Sequence, residues 1–443
     1  MLTPFLTELD ARAKIKGSRD PLGVQPIWSR LGRHVVANLT TVSNSVRDFT
    51  VLLLGYHFAQ SVADDGGTEA ELTTFLKWEQ LAAYARAHVN KERGFRGTER
   101  VERRLKEGER VRLGVDPDAQ ILADQKIYGL WGLYSVPARS SGLIEGDPAR
   151  LTPEARRIVV QSLLPALERG DSRISRGVLE RLHSANCEID LRDRSRDAAV
   201  LAGVARVLKT LRAPERELYR ERLLFGSYPG QDPKRDTRGR QALFAELLTE
   251  TLKIDGWELT PKSLRALAVR ARKRGERGAD LGERLDRICA AELLLAPAVS
   301  FFEHLLTCND KSPTEIAARV RGHWGDRFAQ TIQVDAVESL ETELRGGSDE
   351  PGVGRRWVRL AAALHDARYE DAIALVLEQN AATMRARSAA APWAHVRDGK
   401  LRVQFRDERG QLPAAEELPR YWRHAYFIES LRSVAAALRV DHD

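Results

Sequence analysis

The segment Thr260–Arg277, with the sequence TPKSLRALAVRARKRGER, carries the pattern on which the fold class of this chain rests. It begins with a threonine that can cap a helix and with a proline, Pro261, at the first helical position. The apolar residues that follow recur at helical spacing, at Leu264, Leu267, Ala268 and Ala271. We therefore predict an amphipathic helix whose apolar stripe packs against a core.

The same helical spacing recurs along most of the chain. Apolar stripes with steps of three and four residues occupy segments 46–56, 78–89, 201–211, 244–252, 357–364 and 427–438. Further pairs of a capping residue and a proline, which are typical of helix starts, stand at Asp116-Pro117, Thr152-Pro153 and Ser312-Pro313. The sequence therefore predicts a mainly α, multi-domain helical protein.

One segment near the C-terminus alternates as a β-strand does. Leu401, Val403 and Phe405 alternate with charged and amide side chains. Asp398-Gly399, which is typical of a type I′ turn, stands just before them. We predict a small β-hairpin at about residues 393–406, with a structural role against the last helices.

The basic residues of the chain are mostly arginine. Of the 70 lysines and arginines 13 are lysine, which leaves 57 arginines, and 63 acidic residues reduce the formal net charge to +7. Arginine binds phosphate through two parallel hydrogen bonds and stacks on bases, which lysine cannot do. This favours a nucleic-acid partner, although a GC-rich genome would produce the same excess of arginine without one.

The arginine excess is clustered in the helix predicted at 260–277. Seven bases occur there beside a single acid, Glu276. Some of them have a structural alternative, because bases near the C-terminus of a helix interact favourably with its dipole. That alternative does not cover the whole cluster, so we predict phosphate contacts from Lys262, Arg265, Arg270, Arg272, Lys273 and Arg274.

A second candidate contact lies in the first third of the chain. The segment 140–153, SSGLIEGDPARLTP, places two short apolar pieces around a turn and then a capped helix. It resembles the wing of winged-helix DNA-binding domains, which implies a winged-helix-like element at about 116–168 and a recognition helix between Gln125 and Arg139. The resemblance points to contacts from Lys126 and Arg139, helped by three aromatic residues, Tyr128, Trp131 and Tyr134. In the alternative, those aromatics belong to the core.

Glycine-rich segments at 64–67, 226–239 and 346–354 are candidate linkers. They predict five regions: an N-terminal helical region (1–65), a helical region with the winged-helix-like element (66–170), a helical linker domain (171–230), a helical domain with the basic helix (231–345) and a C-terminal helical domain with the hairpin (355–443).

A further segment, 93–112, mixes arginines with glutamates at helical spacing, which is typical of a solvated helix face.

Two His-x-x-x-Cys pairs, His183 with Cys187 and His304 with Cys308, have the spacing of zinc ligands on a helix. Nothing in the sequence indicates that the two pairs meet. Buried cysteines and ordinary histidines explain both pairs more simply. We therefore predict no metal site. No P-loop and no dinucleotide-binding glycine motif occurs, so we also expect no cofactor.

Two further patterns resemble known families. Arg359 and His365, with five residues between them, resemble the Arg-x(4–6)-His pattern of HEPN ribonucleases, which implies metal-independent RNA cleavage by a dimer. The segment 367–375, ARYEDAIAL, resembles the start of a tetratricopeptide-type helix, which implies helical packing and a protein-binding role.

The three cysteines are too few for a disulfide framework, and residues 1–5 lack the start of a secretory signal. Glu292, Pro297 and Glu303 interrupt the longest apolar stretch. We therefore expect a cytoplasmic protein without a membrane segment.

The leading hypothesis is a non-enzymatic nucleic-acid-binding subunit of a larger prokaryotic assembly. Its partners would be other protein subunits and nucleic acid, with DNA expected before RNA, in a setting such as genome defence or the handling of mobile elements. One alternative is a helical scaffold that binds only protein. The other is a ribonuclease that uses Arg359 and His365.

Overall fold

The computed structural model describes residues 20–185, 187–226, 239–387, 391–405 and 410–439, and the protein is mainly α-helical as predicted. Its helices are α1 (Val24–Arg33), α2 (Val46–Gln60), α3 (Ala63–His88), α4 (Thr98–Glu107), α5 (Gln125–Tyr128), α6 (Leu130–Ser140), α7 (Pro153–Ile158), α8 (Leu164–Leu167), α9 (Ile174–His183), α10 (Ala198–Lys209), α11 (Ala213–Tyr219), α12 (Arg240–Thr251), α13 (Pro261–Arg272), α14 (Glu276–Leu305), α15 (Pro313–Trp324), α16 (Phe328–Thr331), α17 (Val334–Glu338), α18 (Glu341–Leu344), α19 (Val353–His365), α20 (Tyr369–Ala386) and α21 (Ile428–Leu438).

Short strands also occur between these helices, and the strands form antiparallel pairs. They are β1 (Arg110–Leu113), β2 (Ile144–Glu145), β3 (Arg150–Leu151), β4 (Cys187–Asp190), β5 (Ala394–Arg397) and β6 (Lys400–Val403). β1 pairs with β4, β2 with β3, and β5 with β6. The sheets are thus minor features, and helix packing builds the cores.

The described chain forms two compact units. The first comprises residues 20–32 and 258–426, and the second comprises residues 33–257 and 427–439. The five regions predicted from the glycine-rich segments remain a prediction. Segment 346–354 lies within the first unit, segment 64–67 lies within α3, and residues 227–238 of the third candidate linker lie outside the described residues.

The first unit is built around α14. Its buried side chains include Leu285, Ile288, Leu294 and Phe301, and it packs against α13, α17 and α20. By length and composition α14 is the one helix among the described residues that could cross a membrane, but 78% of its most apolar window is buried inside the protein. That degree of burial is what the core helix of a soluble protein shows.

The second unit is built around α2. Val46, Phe49, Leu53 and Tyr56, the stripe predicted from the sequence, are all buried. The rest of α2 is buried almost all round, which is the expected position of a helix with so little polar surface. It packs against α3, α6, α7 and α10.

The predicted hairpin near the C-terminus is confirmed. β5 and β6 pair in register from Ala394↔Val403 to Arg397↔Lys400. Asp398 and Gly399 have φ of 53° and 69°, as a type I′ turn requires. Residue 406, at the predicted limit, lies outside the described residues.

The predicted helix starts are confirmed at three positions. The side chains of Thr152, Thr260 and Ser312 each accept a hydrogen bond from a backbone N–H in the first turn of their helix. The start predicted at Asp116-Pro117 is wrong. Asp116 accepts the Ala119 N–H at 3.2 Å and pairs with Arg112, so it closes a turn that no helix continues.

Candidate nucleic-acid interface

The first turn of α13 is fixed by its own sequence. Ser263 N donates to Thr260 Oγ1 at 3.1 Å, and Thr260 N donates to Ser263 Oγ at 2.8 Å. This reciprocal capping box satisfies two backbone donors that a helix start leaves open. Pro261 occupies the first helical position and is itself buried.

The apolar stripe of α13 packs as the sequence predicts. Leu264, Leu267, Ala268 and Ala271 are all buried, and α14 is the main neighbour of α13. Cys289 of α14 lies against the start of α13, with its thiol 3.6 Å from the Pro261 carbonyl oxygen. Burial against α14 therefore fixes which side of α13 faces outward.

The outward side carries three exposed bases. Lys262, Arg265 and Lys273 are exposed, and no carboxylate of the described residues forms a salt bridge with them. At 100° per residue they lie within about 80° of one another around the helix axis. Val269 lies among them and is 54% exposed. We call the six predicted contact residues of α13 the basic face.

The remaining members of the basic face have partners. Arg272 forms an ion pair with Asp286 of α14, and both side chains are 43% exposed. Arg270 and Arg274 also interact with other groups of the protein. Asp286 could not be recognised as a neighbour from the sequence, because it reaches Arg272 only when α14 folds back along α13.

A groove of about 550 Å³ runs beside the basic face. Arg265 and Arg272 of α13 line one wall, and Glu283, Asp286 and Arg287 of α14 line another. Arg287 is held by Glu343. Bases and acids therefore alternate in the groove, and the ridge of α13 is the more basic surface.

The segment that resembles a wing does form a hairpin. Ile144 pairs with Leu151 and Glu145 with Arg150, and Thr152 then caps α7. The helix before it, α6, forms despite Gly132 and Pro137. β1 pairs with β4 and not with this hairpin, so the hairpin stands as two strands alone.

Two aromatics of the expected recognition helix belong to the core. Tyr134 is fully buried, and its hydroxyl donates to Val42 O at 2.9 Å and to Asp48 Oδ2 at 3.1 Å. Trp131 is half-buried and stacks on Tyr56 with ring centroids 5.3 Å apart. The expectation of base contacts from these two residues is therefore wrong, because α6 turns this side toward α2.

The basic residues of the same element do face outward. Lys126 is exposed on α5, beside Ile127 and Tyr128, which are 53% and 45% exposed. Arg139 is exposed at the end of α6, and its guanidinium donates to Gly146 O at 2.7 Å. Arg139 thus braces the turn of the β2–β3 hairpin, and its role in binding remains a prediction.

Segment 93–112 uses its arginines differently from α13. Arg104 donates to the carbonyl oxygens of Asp118, Ala119 and Gln120, and to the Tyr84 hydroxyl. Arg100 donates to the carbonyls of Gln120 and Leu122 at 3.0 and 2.9 Å. Arg103 pairs with Glu107 at 3.7 Å, and other arginines of the segment, such as Arg110, also form the exposed ion pairs expected of a solvated face.

The two His-x-x-x-Cys pairs do not form a metal site. His183 ends α9 and is exposed, whereas Cys187 is buried in β4, so the two do not share a helix face. His304 and Cys308 do meet, with Nε2 and Sγ 3.7 Å apart. Among the described residues no group of three or more His, Cys, Asp or Glu could hold a metal ion.

The His304–Cys308 contact affects both groups. The hydrogen bond to Cys308 raises the pKa of His304 above its usual value. Burial alone would raise the pKa of the Cys308 thiol, but the His304 hydrogen bond and charge bring that pKa below the usual value. Cys308 is only 1% exposed, so its thiol is closed to solvent.

The pair that resembles the HEPN pattern lies on α19. Arg359 is exposed, and His365 is half-buried with its Nδ1 2.9 Å from Asp366 Oδ1. A spacing of six positions along the helix separates the two side chains by about 9 Å along the axis and about 120° around it. They do not form one site within a single chain, and the ribonuclease alternative remains a prediction.

Sequence reasoning missed a buried polar cluster in the first unit. Glu292 of α14 is fully buried and accepts hydrogen bonds from Tyr426 Oη at 2.9 Å, from His424 Nδ1 at 2.7 Å and from His424 N at 3.0 Å. These bonds fasten the segment before α21 to the core helix. The only signal was a lone glutamate within an apolar stretch.

Comparison with protein-family models, with curated proteins and with solved structures found no match. The functional proposal therefore rests on the geometry of the chain itself.

Proposed function

We propose that this protein is a non-enzymatic, nucleic-acid-binding subunit of a larger prokaryotic assembly, and that the basic face of α13 contacts phosphates. One observation carries the proposal. Lys262, Arg265 and Lys273 project from one side of a well-anchored helix, and no carboxylate of the described residues pairs with them. Exposed bases gathered on one helix face are the electrostatic footprint of a phosphate backbone.

The dimensions of the basic face suit a nucleic-acid backbone. Lys262 and Lys273 lie about 16 Å apart along the helix axis. Such a span reaches two or three successive phosphates of one strand, with Arg265 between them and Arg272 at the side. These contacts would give affinity with little sequence preference, since they involve phosphates and not base edges.

Other features support the wider proposal. Lys126 is exposed on α5, Arg139 is exposed beside the β2–β3 hairpin, and both would add contacts from the second unit. The three cysteines are unpaired and buried, as in proteins of a reducing cytoplasm. DNA is the first partner to test, and the second is RNA.

The test is fluorescence anisotropy of labelled duplex DNA, single-stranded DNA and RNA, titrated with protein across a salt series. We expect the logarithm of the affinity to fall steeply with the logarithm of the salt concentration. On duplex DNA the slope should flatten in the variant K262A/R265A/K273A by about 0.9 for each phosphate that the protein no longer neutralises, which is about 2.7 in all.

A matched control removes three exposed arginines that pair with glutamates in the second unit, R103A/R110A/R176A. This control changes the net charge equally and should leave the slope nearly unchanged. Equal reductions of affinity in both variants would contradict the assignment to α13. Absence of binding at low salt would overturn the whole proposal and favour the helical scaffold, whose partner binding would not depend on salt.

A further inference from the structure

A second cavity of the first unit is lined by residues other than those of the basic face. It has a volume of about 630 Å³ and is bounded by the start of α1, the loop before α19 and the end of α20. A volume of about 300–1,000 Å³ is typical of sites for small molecules and cofactors. The cavity therefore has room for a ligand the size of a nucleotide.

Three arginines line this cavity: Arg345, Arg385 and Arg387. Arg345 donates to Ser348 O at 3.2 Å and has no salt bridge to a carboxylate of the described residues. Arg385 lies 3.3 Å from Glu350, and Arg387 lies 3.3 Å from Asp20. Three guanidinium groups around one opening are suited to bidentate binding of phosphate oxygens.

Two acids also line the cavity, and one of them is already neutralised. Glu350 is shared between Arg385 and Arg356, whose guanidinium is 3.5 Å away and whose side chain is 8% exposed. Asp349 is exposed and forms no salt bridge within the described chain. Asp349 is thus the one wall residue that would repel an anion.

The backbone around the cavity adds to its preference for an anion. Gly346 and Gly347 have φ of 58° and 83°, which lets the loop turn beside the opening without side chains. Gly352 precedes α19 and leaves its first turn without a side-chain cap, and Val353 of that turn lines the cavity. Uncapped N–H groups at a helix start favour negative charge.

We propose that this arginine-lined cavity binds a phosphate-bearing ligand of nucleotide size. The shared chemistry is a phosphate group on a nucleoside, and its source is either a free nucleotide or the phosphorylated end of a nucleic-acid strand. Arg345 and Arg385 hold the phosphates. The site does not depend on the basic face of α13.

The test is isothermal titration of the full-length protein with ADP, with pyrophosphate and with adenosine. We expect ADP and pyrophosphate to bind and adenosine to bind at least tenfold more weakly. R345A and R385A should each weaken ADP binding at least tenfold, whereas D349N should tighten it several-fold because it removes the repelling charge. Arg355, an exposed arginine of α19 that pairs with Glu338 outside the cavity, provides the control R355A, which should bind ADP normally.

A labelled oligonucleotide with and without a 5′-phosphate distinguishes the two sources. If the phosphorylated strand binds more tightly, and R345A abolishes that difference, the ligand is the end of a strand. If the protein binds ADP but both strands bind equally, the ligand is a free nucleotide. Equal affinity for ADP and adenosine, or ADP binding unaffected by both arginine variants, would overturn the proposal. K262A/R265A/K273A should leave ADP binding unchanged, so failure of the α13 proposal is separable from failure of this one.

Discussion

Two regions of this protein are rich in basic residues and differ in what surrounds the positive charges. In the second unit Arg86, Arg100 and Arg104, which we call the clasp arginines, bind carboxylates and backbone carbonyls of their own unit. In the first unit Lys262, Arg265 and Lys273 of the basic face extend from α13 without such partners among the described residues. The clasp stabilises a loop, and the basic face leaves charge available to a partner.

Local charge composition therefore does not separate structural arginine from binding arginine. Guanidinium groups carry several donors in a fixed geometry, and the carbonyl oxygens of a nearby loop can accept from them just as phosphate oxygens can. Substitutions at four positions test this contrast, in decreasing order of their expected effect.

The largest effect is expected from Arg86→Met in the clasp. The Arg86 guanidinium is buried and donates to Asp48 Oδ1 at 2.7 Å and to both carboxylate oxygens of Glu92. Its removal leaves Asp48 buried without a cation, which should lower the free energy of unfolding by about 3–5 kcal/mol. Urea denaturation followed by circular dichroism measures this change in the free energy of unfolding. The double variant R86M/D48N should be destabilised less than R86M, because it leaves no buried charge unpaired. A destabilisation of R86M below about 1 kcal/mol would contradict the stabilising role of Arg86.

The second prediction concerns Glu79, a carboxylate of the second unit. Among the described residues, none of the clasp arginines forms an ion pair with it. Its oxygens accept the Leu130 N–H at 2.8 Å and the Gln125 amide at 2.9 Å, and burial raises its pKa to about 7. Because folding raises this pKa from 4.5, the protonated Glu79 side chain contributes to the stability of the folded state. That contribution is complete below about pH 4.5 and is lost as the pH rises through about 7.

Glu79→Gln removes that titration. Between pH 4.5 and pH 8 the free energy of unfolding of the variant should therefore rise relative to wild type by up to about 3 kcal/mol. Urea denaturation at a series of pH values measures both proteins. Parallel pH profiles would show that Glu79 does not titrate in this range.

A smaller effect is expected from Arg104→Ala. The side chain holds residues 118–120 through three carbonyl oxygens, so its removal should cost about 2 kcal/mol of stability. Affinity for nucleic acid should not change. Arg104→Lys keeps the charge but cannot reach all acceptors at once, and it should recover only part of the stability. A drop in affinity without a drop in stability would place Arg104 with the binding residues.

The smallest effect is expected from Asp286→Asn. This substitution releases Arg272 from its ion pair, which should tighten nucleic-acid binding a few-fold and steepen the salt slope by about 0.9. Anisotropy titrations across the salt series measure both quantities. Glu338→Gln removes an acid that pairs with Arg355 and should change neither. Unchanged binding by Asp286→Asn would indicate that Arg272 does not bind phosphate.

The local elements could be predicted well from the sequence. The capping residues Thr152, Thr260 and Ser312, the Asp398-Gly399 turn and the stripe of α13 all lie where their patterns indicate. Each of these signals depends on neighbours within a few residues, so the chain need not be folded for them to be recognised. Asp116 shows the limit, because a cap and a proline also suit an isolated turn.

From the sequence alone follow the helical class, most of the helix starts, the C-terminal hairpin and the position of the basic cluster on one helix. Which charges have partners was settled only by tertiary packing. Arg104 meets the carbonyls of residues 118–120, Arg272 meets Asp286, and Arg345, Arg385 and Gly23 line one cavity because distant segments pack together. Periodicity sets which side of a helix is buried, whereas the free charge of a surface depends on groups that folding brings close.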